Sequence, residues 1–596
     1  LTPNFLRIHQ TNMNTKDLIK PILLIALSLF LSFSVSAQSG ADFYPVGYYR
    51  DAVRFSQQNP TGSARIRALG GAGVSLGGDV SHAMLNPAGL GFMRKSEYHL
   101  SAGVGLTNSS ASGEGISGDA GQTRFFLPQL GAVFSSSKSS NGDGSKWRGG
   151  AFAITLNRIA DFNSDVSYTD RSGNPTSILN SFEESAYGSS QAFMDVEKRF
   201  GASSFGGMAY ELDLIKPIFY TDANDPSYQD PNAYYYNIGR DADGFTTSRI
   251  TQRSQMIETR GGQYEAAFAY GGNFDDKLYL GAKMGVQNVS YSKNSQYVEL
   301  RDSELTYLGL GESFSTTGWG INFQAGLIWR PIDAIRVGAT FTSPTWYALN
   351  DYYSASLQRT ADYTWNDSTY QANHFKDGQS YVYNPDGLDL YNPNAVNDTQ
   401  RYSGTRVSNH SEIRTRYNMN TPWKASGGIS GFLGKKGFIT LDVEYVGYSA
   451  MKISNGTTYY FENTINEERI EENFAGDNYI LGEEYRNTIN LRVGGEYRLS
   501  RNFMLRAGYA YYQDPTKEEY RFVDQSRSFY SGGLGYRNNN FYADFAVIYS
   551  QWKSTESPYQ LEDNFVDGDG NTILIYPIID MDYSRTEFQL SVGKRF

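Results

Sequence analysis

Asn490–Pro515 reads NLRVGGEYRLSRNFMLRAGYAYYQDP. Two runs alternate in character with a period of two, and a short polar turn, Leu499-Ser500-Arg501, joins them. Such alternation marks β-strands with two unlike faces. Val493, Gly495, Tyr497, Phe503, Leu505 and Ala507 share one face. Arg492, Gly494, Glu496, Met504, Arg506 and Gly508 share the other. Folding about the turn sets Tyr497 opposite Phe503, Gly495 opposite Leu505 and Val493 opposite Ala507. It likewise sets Glu496 opposite Met504, Gly494 opposite Arg506 and Arg492 opposite Gly508. A slip of one residue would turn Arg492 and Arg506 onto the apolar face, so the register is strongly specified.

The same pattern recurs along the chain. Fourteen segments carry it, near 97–106, 123–136, 148–158, 261–273, 277–291, 317–330, 334–343, 421–433, 437–449, 487–498, 502–513, 528–537, 541–552 and 585–596. Turns after segments 4, 6, 8, 10 and 12 are tight: Phe274-Asp275-Asp276, Pro331-Ile332-Asp333, Gly434-Lys435-Lys436, Leu499-Ser500-Arg501 and Asn538-Asn539-Asn540; the one after segment 2, around Ser137–Lys146, is of moderate length. Connections after odd-numbered segments are longer. Tight turns on one side and long loops on the other predict an all-β fold, a transmembrane outer-membrane antiparallel β-barrel of fourteen strands. An even count places both termini on the periplasmic side. The mean hydropathy of −0.49 suits such a barrel, whose lipid face and polar lumen average out. No 18-residue apolar run follows the N-terminal segment, which excludes helical spans there.

Residues 1–37 read as a secretory signal peptide. Met13 is the expected true start, Lys16 and Lys20 supply a charged region, Ile22–Val35 an apolar core, and Val35-Ser36-Ala37 a small-residue cleavage site. The chain has no cysteine, so neither a disulfide framework nor a thiolate metal site is available. Its net charge of −11, without basic tracts, argues against nucleic-acid binding.

Residues 38–96 precede the first strand. Within them Ser63–Phe92, SARIRALGGAGVSLGGDVSHAMLNPAGLGF, carries too many glycines for a regular element. Asp79 is expected to cap a short helix, Val80–Leu85, which Pro87 stops. A barrel of fourteen strands leaves a wide lumen. These features predict a compact hatch, or plug, inside it. Residues 97–596 then form the barrel, with long extracellular loops at 159–260, 344–421, 450–486 and 553–584. A helix is expected at Ser177–Phe200, and a tyrosine-rich tract runs over Tyr210–Tyr236.

These residues resemble the FadL/TodX-type family of outer-membrane transporters for hydrophobic compounds, in its Bacteroidetes branch. The motifs are DAVRFSQ (Asp51–Gln57), ARIRALGGAGVSLGG (Ala64–Gly78), NPAG (Asn86–Gly89), FLPQLGAVF (Phe126–Phe134), NRIADFN (Asn157–Asn163), TFTSP (Thr340–Pro344) and Asn490–Pro515. The resemblance implies a fourteen-stranded barrel with an N-terminal hatch. It also implies passage of long-chain fatty acids or aromatic hydrocarbons without energy coupling. In this chain Asn86, Pro87, Ala88 and Gly89, with Gly71 and Gly73, mark the hatch motif. The loops are longer and richer in Tyr and Asn than in the fatty-acid prototype, which leaves the substrate open.

Candidate sites follow. The family solution to a polar lumen is sideways exit through a gap in the wall. Pro128 lacks a ladder donor, and Gly149-Gly150 open the next strand, so these residues are the candidate lateral gate. Arg492 and Arg506 face the lumen and could hold a carboxylate, or could pair with Glu496, Glu444, Asp442 or Asp544. Tyr234, Tyr235, Tyr236, Trp346 and Tyr347 could form a capture groove, or serve the interface belt. Gly73-Val74-Ser75-Leu76-Gly77 fits a nucleophile-elbow spacing but lacks the flanking strand and helix. Asp567–Asn571 and Asp241–Gly244 lack the full spacing of a calcium loop. His82, His99, His374 and His410 are scattered.

The reading is therefore an outer-membrane transporter for passive uptake of hydrophobic small molecules, with no catalytic residue, cofactor or metal. Its partners are the ligand, outer-membrane lipid and lipopolysaccharide, and the barrel-assembly machinery through the C-terminal Phe596; a monomer is expected. The alternatives are a heme or other nutrient receptor, a general porin, or a surface adhesin.

Overall fold

The computed structural model describes residues 47–596 except 138–145, 174–175, 201, 203, 223–224, 230–233, 238–249, 303–304, 367–380, 383–398, 411, 463–465, 562–564, 567–571 and 574–575. The signal peptide, the two calcium-like loops and His374 lie outside the described residues.

Fourteen strands close a ring. They are β1 (Glu97–Gly113), β2 in two segments (Ile116–Phe126 and Gln129–Ser137), β3 (Trp147–Asp161), β4 (Ile250–Phe274), β5 (Leu278–Arg301) and β6 (Leu305–Ile332). There follow β7 (Ile335–Thr342), β8 (Trp423–Phe432), β9 (Gly437–Gly447), β10 (Thr488–Arg498), β11 (Phe503–Tyr512), β12 (Arg527–Arg537), β13 (Phe541–Glu556) and β14 (Ile579–Arg595). Each pairs antiparallel with its neighbour in the ring, and β14 returns to β1 from Glu97↔Arg595 to Ser112↔Asp580. Closure pairs the strands around the ring, as a wall in lipid requires, except along one stretch of β2.

Alternation decides which face each side chain takes. In β1, Tyr98, Leu100, Val104 and Leu106 lie outside, while Glu97, His99, Ser101 and Thr107 are buried inside. The tight turns all fall at one end. Asp275 and Asp276 both adopt positive φ (58° and 52°), the conformation that lets a two-residue connection follow the strand twist.

The strands run further than their alternation predicts. β4 starts at Ile250, β5 reaches Arg301 and β6 starts at Leu305, so part of the expected loop sequence is wall. Trp346–Asn366, Ile413–Asn420 and Lys452–Glu462 raise the wall further at the long-loop end. The expected helix at 177–200 is two helices, Ile178–Ala186 and Gln191–Phe200, separated at Gly188, whose φ is +77°.

The β10–β11 register differs from its predicted value by two residues. Tyr497 faces Leu505, Glu496 faces Arg506 and Arg492 faces Ala510. The turn takes in Asn502 as well, closed by the Leu499 N–H donating to the Phe503 carbonyl (2.9 Å). A shift of two leaves every side chain on its predicted face, because the side-chain period is two.

Inside the ring lies the segment 47–96. Helix α1 (Tyr48–Ser56) stands towards the long-loop end, with Tyr48 against Tyr417 and Phe474. Helix α2 (Ala64–Arg67) is capped by Ser63, whose hydroxyl accepts from Ile66 N–H. Helix α3 starts at His82, two residues later than predicted, and ends at Leu85. Asp79 instead holds the turn before it, accepting from Ser81 N–H and Ser63 Oγ (3.0 Å each). Pro87–Phe92 forms a 3₁₀ turn capped by Asn86, whose side chain accepts from Ala88 N–H.

Candidate functional site: a docked hatch and a seam in the wall

The hatch meets the wall through glycines that sit opposite one another in the ladder. Gly494 and Gly508 are paired across β10 and β11, and together they make room for the Leu69-Gly70 backbone. A Cβ on Gly494 would lie 2.7 Å from Leu69 Cβ. Gly338 and Gly428, paired across β7 and β8, receive Val74-Ser75 in the same way. Gly281 pairs with both Gly271 and Gly326, and this row of three accepts Asn86-Pro87-Ala88. Such close approach of backbone to backbone is open only to residues without a Cβ.

Polar contacts fix the orientation. Asp442, on the lumen face of β9, accepts the N–H groups of Gly73 and Val74 (2.7 and 3.0 Å). Asn86 donates to the carbonyls of Val74 (2.6 Å) and Leu327 (3.1 Å), tying two hatch segments to β6. Arg65 pairs with Glu496 (3.3 Å) and Asp79 (3.6 Å), and Arg67 pairs with Glu587. Burial alone would raise the Asp79 carboxyl; Arg65, His82 and the Ser81 N–H hold it below the usual range. His82 fills the centre, and burial pushes its imidazole below the ordinary value.

The wall has one interrupted strand beside this hatch. Up to Gly103↔Phe126 the β1–β2 register is continuous; it resumes one residue out of step at Leu100↔Leu130. The extra residue falls at Leu127-Pro128. Side-chain parity switches there: Phe125 and Leu127 point outwards before it, Leu130 after it. On its other edge β2 pairs with β3 only from Gln129↔Asn157 onwards. Above that, Ile116 and Ser117 meet Asp170 and Thr169 of the wall strand Ser164–Asp170. Between Gly118 and Leu127 no ladder pair crosses to the next strand among the described residues.

The Arg158 N–H still donates to the Pro128 carbonyl (2.9 Å), and beyond that bond the facing backbone of β3 turns to the hatch. The Arg158 carbonyl accepts from Thr61 Oγ1 (2.6 Å) and the Ile159 carbonyl from Asn59 N–H (3.2 Å). The β3–β4 ladder is irregular between Arg158 and Ala160. Two side chains fill the seam. The Phe126 ring turns inwards against Gly103, where a Cβ would lie 2.7 Å from its Cζ. The Arg158 guanidinium lies 4.9 Å over that ring and pairs with Asp161 (2.5 Å), which also holds Arg585 (3.2 Å). Further up, Gln122 reaches Asp165 across the seam (3.3 Å).

A second proline break behaves differently. At Ser343-Pro344 the β6 register also steps by one, from Gln324↔Thr342 to Ile321↔Trp346. Here the gap is stitched: Ser343 N–H donates to the Phe323 carbonyl, Phe323 N–H to Ser343 Oγ, and Thr345 and Thr421 exchange two bonds. Proline alone therefore does not open the wall; loss of bonds on the neighbouring edge does.

The predicted site residues are distributed as follows. Pro128 lies at the seam. Gly149 and Gly150 do not: they pair with Ser137 and Ser136 at the short-turn end, eight ladder steps from Gln129↔Asn157. Gly149 carries a local irregularity with φ +107°. Arg492 pairs with Glu444 (3.4 Å), and Arg506 with Glu496 (2.8 Å) and Asp544 (2.7 Å), buried beneath the hatch. Both are in ion pairs of the kind their sequence alternatives named, Arg492 within the wall and Arg506 joined through Glu496 to Arg65 of the hatch.

Trp346 and Tyr347 point to opposite faces. Trp346 is exposed on the outer face, while Tyr347 is buried and bonded to Gln287. One groove cannot contain both. Tyr234, Tyr235 and Tyr236 pair through their backbone with Ile218, Pro217 and Lys216. Gly71 stands against Pro60, and Gly73 between Leu85 and Ile66. Sequence reading did not single out Phe126, Arg158 or the wall glycines. Arg158 lies inside NRIADFN, and the wall glycines all fall on lumen-facing positions of alternating strands, which is the signal available for them.

Residues 311–569 match the family Toluene_X, described as outer membrane protein transport protein (OMPP1/FadL/TodX). The match bears out the resemblance read from the motifs; it takes in β6 to β13 and leaves the hatch and the seam outside. No curated protein sequence matches the chain. Among solved structures, a FadL homologue from Pseudomonas aeruginosa is similar at 16% identity, covering 90% of this chain and 99% of that one, with a TM-score of 0.47. The toluene transporter TodX of P. putida is 12% identical over 90% and 99% of the chains (TM-score 0.46). The toluene transporter TbuX of Ralstonia pickettii is 15% identical over 90% and 99% (TM-score 0.45). The chain is a closed antiparallel β-barrel with an apolar outer face, and its segment 311–569 is similar to the OMPP1/FadL/TodX family of outer-membrane transport proteins.

Proposed function

We propose that this barrel carries hydrophobic small molecules, such as long-chain fatty acids or aromatic hydrocarbons, passively across the outer membrane, releasing them sideways through the seam between β2 and β3. The tight turns and both chain ends face the periplasm, and the long loops face outwards, where they take up the ligand.

The observation that carries this reading is the pairing of a fixed hatch with an unlaced wall. The hatch is held by three glycine sockets and by the Asp442, Asn86, Arg65 and Arg67 contacts, so it blocks a straight aqueous route. An apolar solute also gains nothing from a polar lumen. The seam offers a short route from the lumen to lipid, and opening it breaks no ladder bonds between Gly118 and Leu127. The Arg158–Phe126 contact closes it at rest.

The test is a cysteine pair at Gln122 and Asp165, locked by a short bismaleimide; the chain has no cysteine of its own. Cells lacking the native gene and carrying the unlocked variant should take up labelled fatty acid or toluene, and the locked variant should not. Uptake unchanged by the lock overturns lateral release. Uptake equal with and without the gene, across fatty acids, alkanes and aromatics, overturns the transport reading. Swelling of loaded liposomes with small sugars would favour a general porin.

A further inference from the structure

We propose that a groove on the outer face of β14, β1, β2 and β3, at the short-turn end, binds one phospholipid, with an acyl chain along the groove and the phosphate on Lys594. The groove encloses about 750 Å³. Leu100, Leu130, Ile154 and Leu156 line it as outward-facing residues, and Ala132 and Ala266 keep the wall low between them. It lies just below the register step at Leu127-Pro128, where Leu130 is the first outward residue of the second β2 segment.

Position and charge single out the occupant. Lys594 lies at the groove's edge and faces Phe541 and Tyr98 across the two flanking ladders. Tyr98 packs on the terminal Phe596 (5.1 Å). Aromatic residues of this kind gather at headgroup depth, so an ammonium among them lies level with lipid phosphates. Beside it Arg595 pairs with Glu97 (2.9 Å), and Lys95 donates to the neutral Asn540 side chain (3.1 Å) on the neighbouring rim, outside the groove. Among the described residues Lys594 has no ion-pair partner, and it is the only lysine or arginine lining the groove, so the trough itself ends on one cation. An apolar trough ending in a single cation fits a chain with a phosphate head. Phospholipid as its source rests on the orientation given above, which sets this end in the periplasmic leaflet; it does not rest on transport.

Native mass spectrometry of the purified full-length protein tests it. Phosphatidylglycerol, phosphatidylethanolamine, diacylglycerol with the same chains and lipid A are titrated separately. The wild type should hold one phospholipid more tightly than diacylglycerol or lipid A. Lys594→Gln should weaken phospholipid binding about tenfold, the scale of one charge-assisted contact, and leave diacylglycerol unchanged. Ala132→Trp, which fills the trough, should weaken both. Lys553→Gln, at the other end, should change neither, and heat-modified gel migration should show all variants folded. Equal binding by Lys594→Gln and wild type, or diacylglycerol binding as well as phospholipid, overturns the proposal. Preference for lipid A overturns it through the orientation. A cysteine at Lys436 in a short turn checks that orientation separately, by staying closed to an impermeant maleimide on intact cells.

Discussion

The guanidinium of Arg158 lies 4.9 Å over the ring of Phe126, at the seam where β2 has no ladder partner on its far edge. Together they occupy the space that interstrand hydrogen bonds would otherwise close. A contact of this type contributes on the order of 0.5–2 kcal/mol, small beside the barrel's own stability. Phe126→Ala and Arg158→Ala should therefore leave folding intact and raise uptake of bulky hydrophobic probes several-fold. Phe126→Trp should slow bulky probes more than small ones. Uptake rates for a size series of labelled ligands check this, and identical rates in all three variants would exclude a gating role for the pair.

Deleting Pro128 should close the seam. The register of β2 against β1 steps by a single residue there, so removing one residue makes Gly103↔Phe126 and Leu100↔Leu130 parts of one ladder. The parity of Phe125 and Leu127 then agrees with that of Leu130, and a straight β2 can pair along β3. The deletion variant should migrate as a folded barrel and lose uptake. Pro128→Ala keeps the extra residue and should keep most uptake. Full activity in the deletion variant would show that transport does not use this seam.

The wall was legible in the sequence because one face of each strand meets lipid and the other meets the lumen; that contrast marked all fourteen strands, including Trp423–Phe432 with its three glycines. The seam was half legible. Pro128 announces a missing donor, but its partner depends on how far β3 runs before pairing, and no local pattern sets that distance. Gly149-Gly150 were chosen on chain order and lie at the other end of the ladder. Arg158 escaped notice because its parity matches outward-facing Ile154 and Leu156. Only the lost ladder beside it lets the side chain turn into the seam. For Arg492 and Arg506 the acids were identifiable by face; the Arg506–Glu496 pairing was hidden by the two-residue error in the turn, and Arg492–Glu444 lies across β9 and β10, whose register the long connection between them does not set.

Gly508 is predicted to tolerate no side chain. A Cβ there would lie 2.7 Å from Leu69 Cα and closer still to the Leu69-Gly70 peptide. Overpacking of this kind costs about 1–3 kcal/mol, and the hatch can relieve it only by moving off the wall. Gly508→Ala should therefore admit small sugars in a liposome-swelling assay while the barrel stays folded. Gly431→Ala is the control, since nothing lies within 4 Å of its added Cβ. Equal sugar exclusion by both variants would mean that the hatch is not held by this socket.

His82 should make the hatch sensitive to acid. The Gly77 N–H donates to its Nε2 (2.9 Å), so the proton of the neutral ring is on Nδ1, which donates to the Asp79 carbonyl (3.1 Å). Gly89 must lack a Cβ because the imidazole lies against it. Protonating Nε2 would remove the acceptor for Gly77 while offering a donor to the Gly73 carbonyl (3.0 Å), and burial opposes the added charge more than Asp79 and the Gly73 carbonyl favour it; Arg65, also facing the ring, adds to the opposition. The folded pKa is thus below the ordinary value of about 6.5, and in this window the unfolded segment binds more protons than the folded one. Stability contributed by His82 is present above about pH 6.5 and is lost as pH falls below it. Asp79 stays ionised throughout, because its own shift is downwards. Hydrogen exchange across Gly70–Gly78, corrected for intrinsic rates, should show less protection at about pH 5.5 than at about pH 7. His82→Gln supplies an acceptor that does not titrate in this range and should flatten that dependence. The same loss of protection in His82→Gln as in wild type would place the acid sensitivity elsewhere.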